Sequence, residues 1–177
     1  MKRFTIFIVF ISLFQNTNAQ YASENIFLGR EFWKTATTVA EVEQKIKEGN
    51  DPVAQNKWAF DAVCYAILEN APLPIMEYLL SIEGNEVDKN THDGRNFLMW
   101  AAYKGNLPLM KVLLEKGSAT DIVDNHGYNL MTFAAVAGQK DTQVYDLLLA
   151  NGGTVADTNR EGANALLLLA PHLKKED

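Results

Sequence analysis

Cysteine is nearly absent from this 177-residue chain: Cys64 is the single one. No internal disulfide can form, so the fold must rest on packing even in an oxidising compartment. Histidine is sparse too, at three residues (His92, His126 and His172). No G-x-S-x-G, H-E-x-x-H, C-x-x-C or phosphate-binding glycine loop occurs, which removes the motif-borne hydrolase, zinc-protease, redox and nucleotide readings. Basic residues are outnumbered, 16 Lys and Arg against 22 Asp and Glu, for a formal charge of −6. Nucleic-acid binding relies on Lys and Arg neutralising phosphates, so no nucleic-acid partner is expected. The apolar stretch Phe4 to Phe14 is 11 residues long. A helix crossing a bilayer needs about 20, so no stable membrane anchor is expected.

That short stretch has another use. Lys2 and Arg3 precede it and Thr17-Asn18-Ala19 follows, the layout of a cleavable export leader over residues 1–19, with the mature chain starting at Gln20. No cysteine stands at the cleavage point to carry a lipid. The expected location is therefore exported, periplasmic or secreted. Cleavage removes two of the 16 basic residues and none of the 22 acidic ones, leaving 14 against 22 and a formal charge of −8. Residues 20–26 form a polar lead, and the remainder is long enough for one domain with a continuous core. Cys64, inside AVCYAIL, reads as a small buried core residue.

What the chain does have is repetition. Gly94, Asn96, Ala101, Ala102 and Gly105 in DGRNFLMWAAYKG recur as Gly127, Asn129, Ala134, Ala135 and Gly138, each 33 residues on. Gly94 and Gly127 sit where a turn feeding a helix needs positive φ. Asn96 and Asn129 precede an apolar run, the N-cap position. Gly105 and Gly138 end the short first helix. Asn106 then caps a second helix with Pro108 in its first turn, and Leu109, Met110, Leu113 and Leu114 share one face up to Gly117. LPIMEYLLSIEG repeats LPLMKVLLEKG almost residue for residue, Pro74 standing 34 before Pro108.

In these residues the chain resembles the ankyrin-repeat family, whose unit is a β-turn finger followed by two helices with a consensus near G-x-T-P-L-H-x-A-A-x-x-G. The resemblance implies an all-α solenoid of helix-turn-helix units, about four and a half repeats over residues 27–177. The units run approximately 27–50, 51–86, 87–119, 120–154 and a partial 155–177. The first lacks the finger glycine and has Thr37-Thr38 at its helix junction, as suits an N-terminal cap. The second, with finger QNKWAF, also has no glycine, and its first helix DAVCYAILEN is expected to end at Ala71-Pro72. The fourth carries two extra residues near QKDTQ. The fifth repeats Gly162 and Asn164 and then reads Leu166, Leu167, Leu168, Leu169 and Pro171, an apolar run with no second helix over it. The expectation is self-association through residues 162–173, or a longer natural chain.

Functionally the resemblance implies a non-catalytic module that binds an unidentified protein partner through its finger tips and concave first-helix surface, with no cofactor. The residues the fold leaves free for this are His92, Asp93, Arg95, Tyr103 and Lys104 in the third unit. In the fourth they are Asn125, His126, Tyr128, Val136 and Ala137. Arg160, Glu161 and Ala163 extend the row. Trp100, Phe133, Tyr65 and Leu168 occupy equivalent first-helix positions and are expected to pack between units. Two rival readings remain open at this stage. One is an assembly subunit joined through its C-terminal half-repeat. The other is a metal-dependent enzyme built on His92, His126, Asp93 and Asp124.

Overall fold

The computed structural model describes residues 24–173. The expected export leader, residues 1–19, and the expected cleavage point before Gln20 lie outside them. Among the described residues nine helices follow a 3-10 turn at Ile26–Leu28 and fall into pairs. These are α1 (Arg30–Thr35) with α2 (Val39–Lys47), α3 (Ala62–Leu68) with α4 (Leu73–Leu79), α5 (Phe97–Lys104) with α6 (Leu107–Glu115), and α7 (Leu130–Val136) with α8 (Thr142–Ala150). The last, α9 (Ala165–Leu169), is followed by a 3-10 turn at Ala170–His172 and has no second helix among the described residues. First helices stack in a row, α1 on α3, α3 on α5, α5 on α7 and α7 on α9. Second helices form an outer row in which α2 meets α4 and α4 meets α6.

Each boundary has a local cause. Asn96, Asn129 and Asn164 accept from the backbone amides of Met99, Thr132 and Leu167 at 3.0, 2.9 and 3.0 Å, so all three finger asparagines cap their helices. Asp61 does the same for Cys64 at 2.9 Å in the second unit. Thr38 and Glu41 form a reciprocal capping box at the start of α2. Backbone N–H donors of Thr37 and Thr38, aided by the Thr38 hydroxyl, hold the Glu41 carboxyl below its ordinary pKa. Gly105 closes α5 in the left-handed region at φ 68°.

The second unit departs from the expected pattern. Its first helix ends at Leu68, not at Ala71-Pro72, because Asn70 takes the left-handed position at φ 55° that Gly105 occupies one unit later. Asparagine tolerates that conformation better than any other residue with a Cβ. Ala59 likewise stands in the finger-glycine position at φ 60°.

The core is one continuous cluster running from Phe27 and Trp33 through Leu98 and Leu113 to Val144 and Leu148. Leu109, Met110 and Leu113 are fully buried, as their spacing on α6 predicts, with Leu114 half-buried beside them. Polar contacts run beneath the fingers, within units and between them. The Asn96 amide donates to Asp88 at 2.9 Å, Ser118 at 3.2 Å and the Ala119 carbonyl at 3.1 Å. One unit earlier the same place holds a charge: Asp61 is fully buried and pairs with Lys89 at 3.1 Å, while Lys89 also donates to the Val53 carbonyl and to Asn85. A buried carboxylate is tolerable only with such partners.

Candidate functional site

The residue after each finger glycine position, and the fourth residue of each first helix, alternate along the inner face. In sequence these are Phe60 and Tyr65, Arg95 and Trp100, Tyr128 and Phe133, Ala163 and Leu168. Because first helices stack directly, the side chains meet across units. Phe60, itself stacked on Tyr65 of its own unit at 5.4 Å, stacks on His92 of the next with centroids 4.3 Å apart, and Trp100 stands edge-on to Phe133 at 5.7 Å. Tyr103 stacks on Phe133 at 5.2 Å while keeping 37% of its surface exposed. Trp100 and Phe133 themselves are buried, so the first-helix column is packing, as expected. Its open edge is formed by Tyr103, Tyr128, Phe60 and the finger-tip Trp58, which is 57% exposed with the Lys57 ammonium 4.2 Å over its ring.

Arg95 is corrected by the structure. Expected on the free surface, it is buried at 7% exposure. Its Nε and a terminal nitrogen lie 2.8 and 2.7 Å from Asp124 Oδ2, and another nitrogen lies 3.3 Å from Asp93 Oδ2. The guanidinium plane sits over Phe133 at 4.2 Å and Trp100 at 5.0 Å. A planar, weakly hydrated cation satisfied by carboxylates at its edge and rings at its faces can be buried where an ammonium could not. The other Asp124 oxygen accepts the His126 and Tyr128 amides, both at 2.9 Å, so this one aspartate shapes the fourth finger and anchors the third to it.

Asp93 Oδ2 is the meeting point of the finger tips. His126 Nε2 lies 3.0 Å from it and His92 Nε2 3.2 Å, beside the Arg95 contact. Backbone bonds add to the link: the Asn125 amide donates to the Asp93 carbonyl at 2.8 Å, and Arg160 donates to the Asn125 carbonyl at 3.0 Å.

A family model of ankyrin repeats, three copies, matches residues 63–161. The chain belongs to the ankyrin-repeat family. Among curated relatives it is similar to a probable palmitoyltransferase AKR2 of Saccharomyces uvarum, 27% identical over 88 residues, 49% of this chain and 12% of that protein. It is also similar to a palmitoyltransferase AKR1 of Lachancea kluyveri, 24% identical over 129 residues, 72% of this chain and 17% of that protein. The chain thus spans less than a fifth of the length of either.

His92, Asp93, Asn125, His126, Tyr128 and Arg160 lie along the fingers of units three to five, while Tyr103 is exposed and Lys104 half-buried at the end of α5. Val136 and Ala137 are half-buried at the end of α7, as is Ala163, whereas Glu161 is exposed. Trp58 and Phe60 lie on the finger one unit earlier and were not picked out from sequence, because the finger QNKWAF has no glycine to mark its register. Counting 35 back from Asn96 would have found them: that residue is Asp61, a good capping type.

No group of three or more His, Cys, Asp or Glu among the described residues is placed to hold a metal ion. His92 and His126 do converge, but on a carboxylate oxygen that also faces the Arg95 guanidinium. Cys64 is fully buried, and burial followed by the charge of Asp61 pushes its thiol well above the ordinary range. A thiol kept protonated is a poor nucleophile.

Proposed function

We propose that the chain is a non-catalytic protein-binding module of an exported protein, engaging its partner along the open edge of the aromatic row. The supporting observation is that row itself: rings from three successive units in mutual contact, ending in the exposed face of Tyr103, with the exposed finger-tip Trp58 nearby in sequence and His92, His126 and Arg160 on the adjoining fingers. Aromatic and arginine side chains combine apolar area with a polar tip, and truncating such groups is what most often costs an interface its affinity. Acyl transfer is named for relatives of which this chain spans a small part, and the shielded Cys64 thiol argues against it as an acyl carrier. The export reading rests on the leader pattern in residues 1–19.

The experiment is chemical cross-linking and affinity capture from the exported fraction, comparing the native chain with a Trp58→Ala, Tyr103→Ala variant. Loss of the captured partner with unchanged far-UV circular dichroism is the expected result. Equal capture by both would move the site to the outer helices.

A second reading is favoured by one observation at the C-terminal end. Leu166 and Leu167 are 68% and 63% exposed beside an apolar groove of about 400 Å³ between α8 and α9, lined by Tyr145, Leu149, Val155 and Leu169. At the equivalent positions one unit earlier, Met131 and Thr132 are buried, as are Leu98 and Met99 a unit before that. Self-association of two copies through this patch would cover it.

A further inference from the structure

From three equivalent corners of the stack we propose that the cavity beneath the fourth finger is a binding site for an alkylammonium group, the chemistry of a lysine side chain. In each unit the residue capping the first helix comes together with one residue from the start of the unit and one from its end. These are Asp61 with Val53 and Asn85 in the second unit, Asn96 with Asp88 and Ser118 in the third, and Asn129 with Asp121 and Gly153 in the fourth. The following unit has Lys89, Ile122 and Asp157, in turn, at the position next to the corner.

The first two corners are filled, each in its own way. In the second unit the filler is the Lys89 ammonium, 3.1 Å from Asp61 Oδ2, 3.0 Å from Asn85 Oδ1 and 2.8 Å from the Val53 carbonyl oxygen. In the third it is Asp88, whose carboxylate accepts from the Asn96 amide, the Ser118 hydroxyl and the Ala119 backbone N–H, each at 2.9 Å. The fourth corner makes none of these bonds. Gly153 has no side chain to offer where Ser118 stands. The Thr154 amide, counterpart of Ala119, donates to Asp157 at 2.8 Å, and the Asn129 amide reaches the Thr158 carbonyl at 3.5 Å. What remains is a cavity of about 270 Å³ lined by Asp121, Asn129, Gly153 and Asp157, over the buried side chains of Met131 and Leu148.

Two carboxylates and no Lys or Arg line this space. Acceptors that carry negative charge call for a donor that carries a positive one. Asp157 spends two lone pairs on the Thr154 amide and hydroxyl, at 2.8 and 2.9 Å, and a carboxylate offers about four. Asp121 is exposed, as is Val123 at 60%, so the mouth opens to solvent. The apolar floor suits the methylene stem that an ammonium head brings with it. The filled corner of the second unit shows the arrangement: acceptors gathered round a point charge, which is what lysine presents and the flat fork of arginine does not. There Lys89 supplies the cation from within the chain. Here Asp157 stands in its place, so the cation must come from outside. The site is separate from the aromatic row and needs no partner bound there.

The test is a heteronuclear NMR titration of the full chain at neutral pH with n-butylammonium. Its companions are n-butanol, the uncharged analogue, and a lysine blocked at both ends, the side chain in peptide form. The amides of Asp121, Gly153, Thr154 and Asp157 should shift and saturate with butylammonium and stay in place with n-butanol. Asp121→Asn keeps the shape and removes the charge, and should weaken binding about tenfold or more. Asp157→Lys carries the ammonium of Lys89 into the fourth corner and should abolish binding. Far-UV circular dichroism checks both variants, and if either unfolds the comparison of butylammonium with n-butanol on the wild type still decides. Saturation by the blocked lysine as well assigns the site to a lysine of a partner protein, and saturation by butylammonium alone to a free amine. No saturable shift at these amides, an equal response to n-butanol, or undiminished binding by Asp121→Asn would overturn the site.

Discussion

At the residue scale, the most consequential position is Arg95, a buried cation held by two aspartates and two aromatic faces. Arg95→Ala leaves Asp124, whose side chain is fully buried, without its counter-charge, and the cost of such a deletion is about 3–5 kcal/mol. Urea denaturation followed by circular dichroism measures it, and a loss below 1 kcal/mol would mean that solvent reaches Asp124. Tyr103→Ala, at an exposed position stacked on one side only, should cost much less while still weakening partner capture. Ala59 gives a prediction of opposite sign. Held at φ 60° with a Cβ, it carries strain that the glycines at equivalent positions avoid. Ala59→Gly should raise stability by up to about 1 kcal/mol, relief of the clash outweighing the freedom glycine adds to the unfolded chain. A lowered urea midpoint would show that the turn accommodates alanine without cost.

At the element scale, α6 separates its two faces cleanly. Leu113 is fully buried between units, so Leu113→Ala should destabilise by about 2–5 kcal/mol. Lys111 points outward on the same helix, and Lys111→Ala should stay within roughly 0.5 kcal/mol. Equal effects in denaturant melts would contradict the assigned face. Helix α8 carries a pH handle. Burial raises the Tyr145 phenol to about 12, and its hydroxyl donates to the Gln139 carbonyl at 2.7 Å. An acid whose folded pKa is raised contributes stability that is complete below its unfolded value, ordinarily near 10, and lost as pH rises through the folded one. Stability should therefore fall between about pH 10 and 12, and Tyr145→Phe should flatten that part of the curve relative to wild type. α8 also differs from the other second helices in not continuing their close packing, α8 against α6 being the weak step. It follows the loop with two extra residues, and such a loop relaxes the constraint that sets one pair against the next.

At the scale of the whole molecule, stability in a stacked-repeat protein is a sum of units and neighbour interfaces, so an uncovered end weakens its last unit first. Sedimentation of the chain from Gln20 onward should show a dimer that Leu166→Glu with Leu167→Glu turns into a monomer, with little change in the melt of the inner units. A monomer in both would mean that α9 and the turn after it suffice as a cap. How much of this was legible beforehand follows from what each feature depends on. The 33-residue period, the asparagine caps at 96, 129 and 164, Gly105 and the buried face of α6 depend on neighbours within a few residues, and local residue types report such geometry directly. The family followed from them. The second unit was harder to place, because Ala59 and Asn70 took left-handed positions that glycine marks elsewhere. Sequence alone put Arg95 on the free surface by its place in the repeat. Only tertiary structure revealed that Asp124, 29 residues on, lies against it, and that His92 sits between a carbonyl 34 residues back and a carboxylate beside it. Local pattern determines the units, because helix caps and turns are satisfied within them. The charges and rings between units meet only once the stack has formed, and their partners, not their residue types, decide which are buried and which are free to bind.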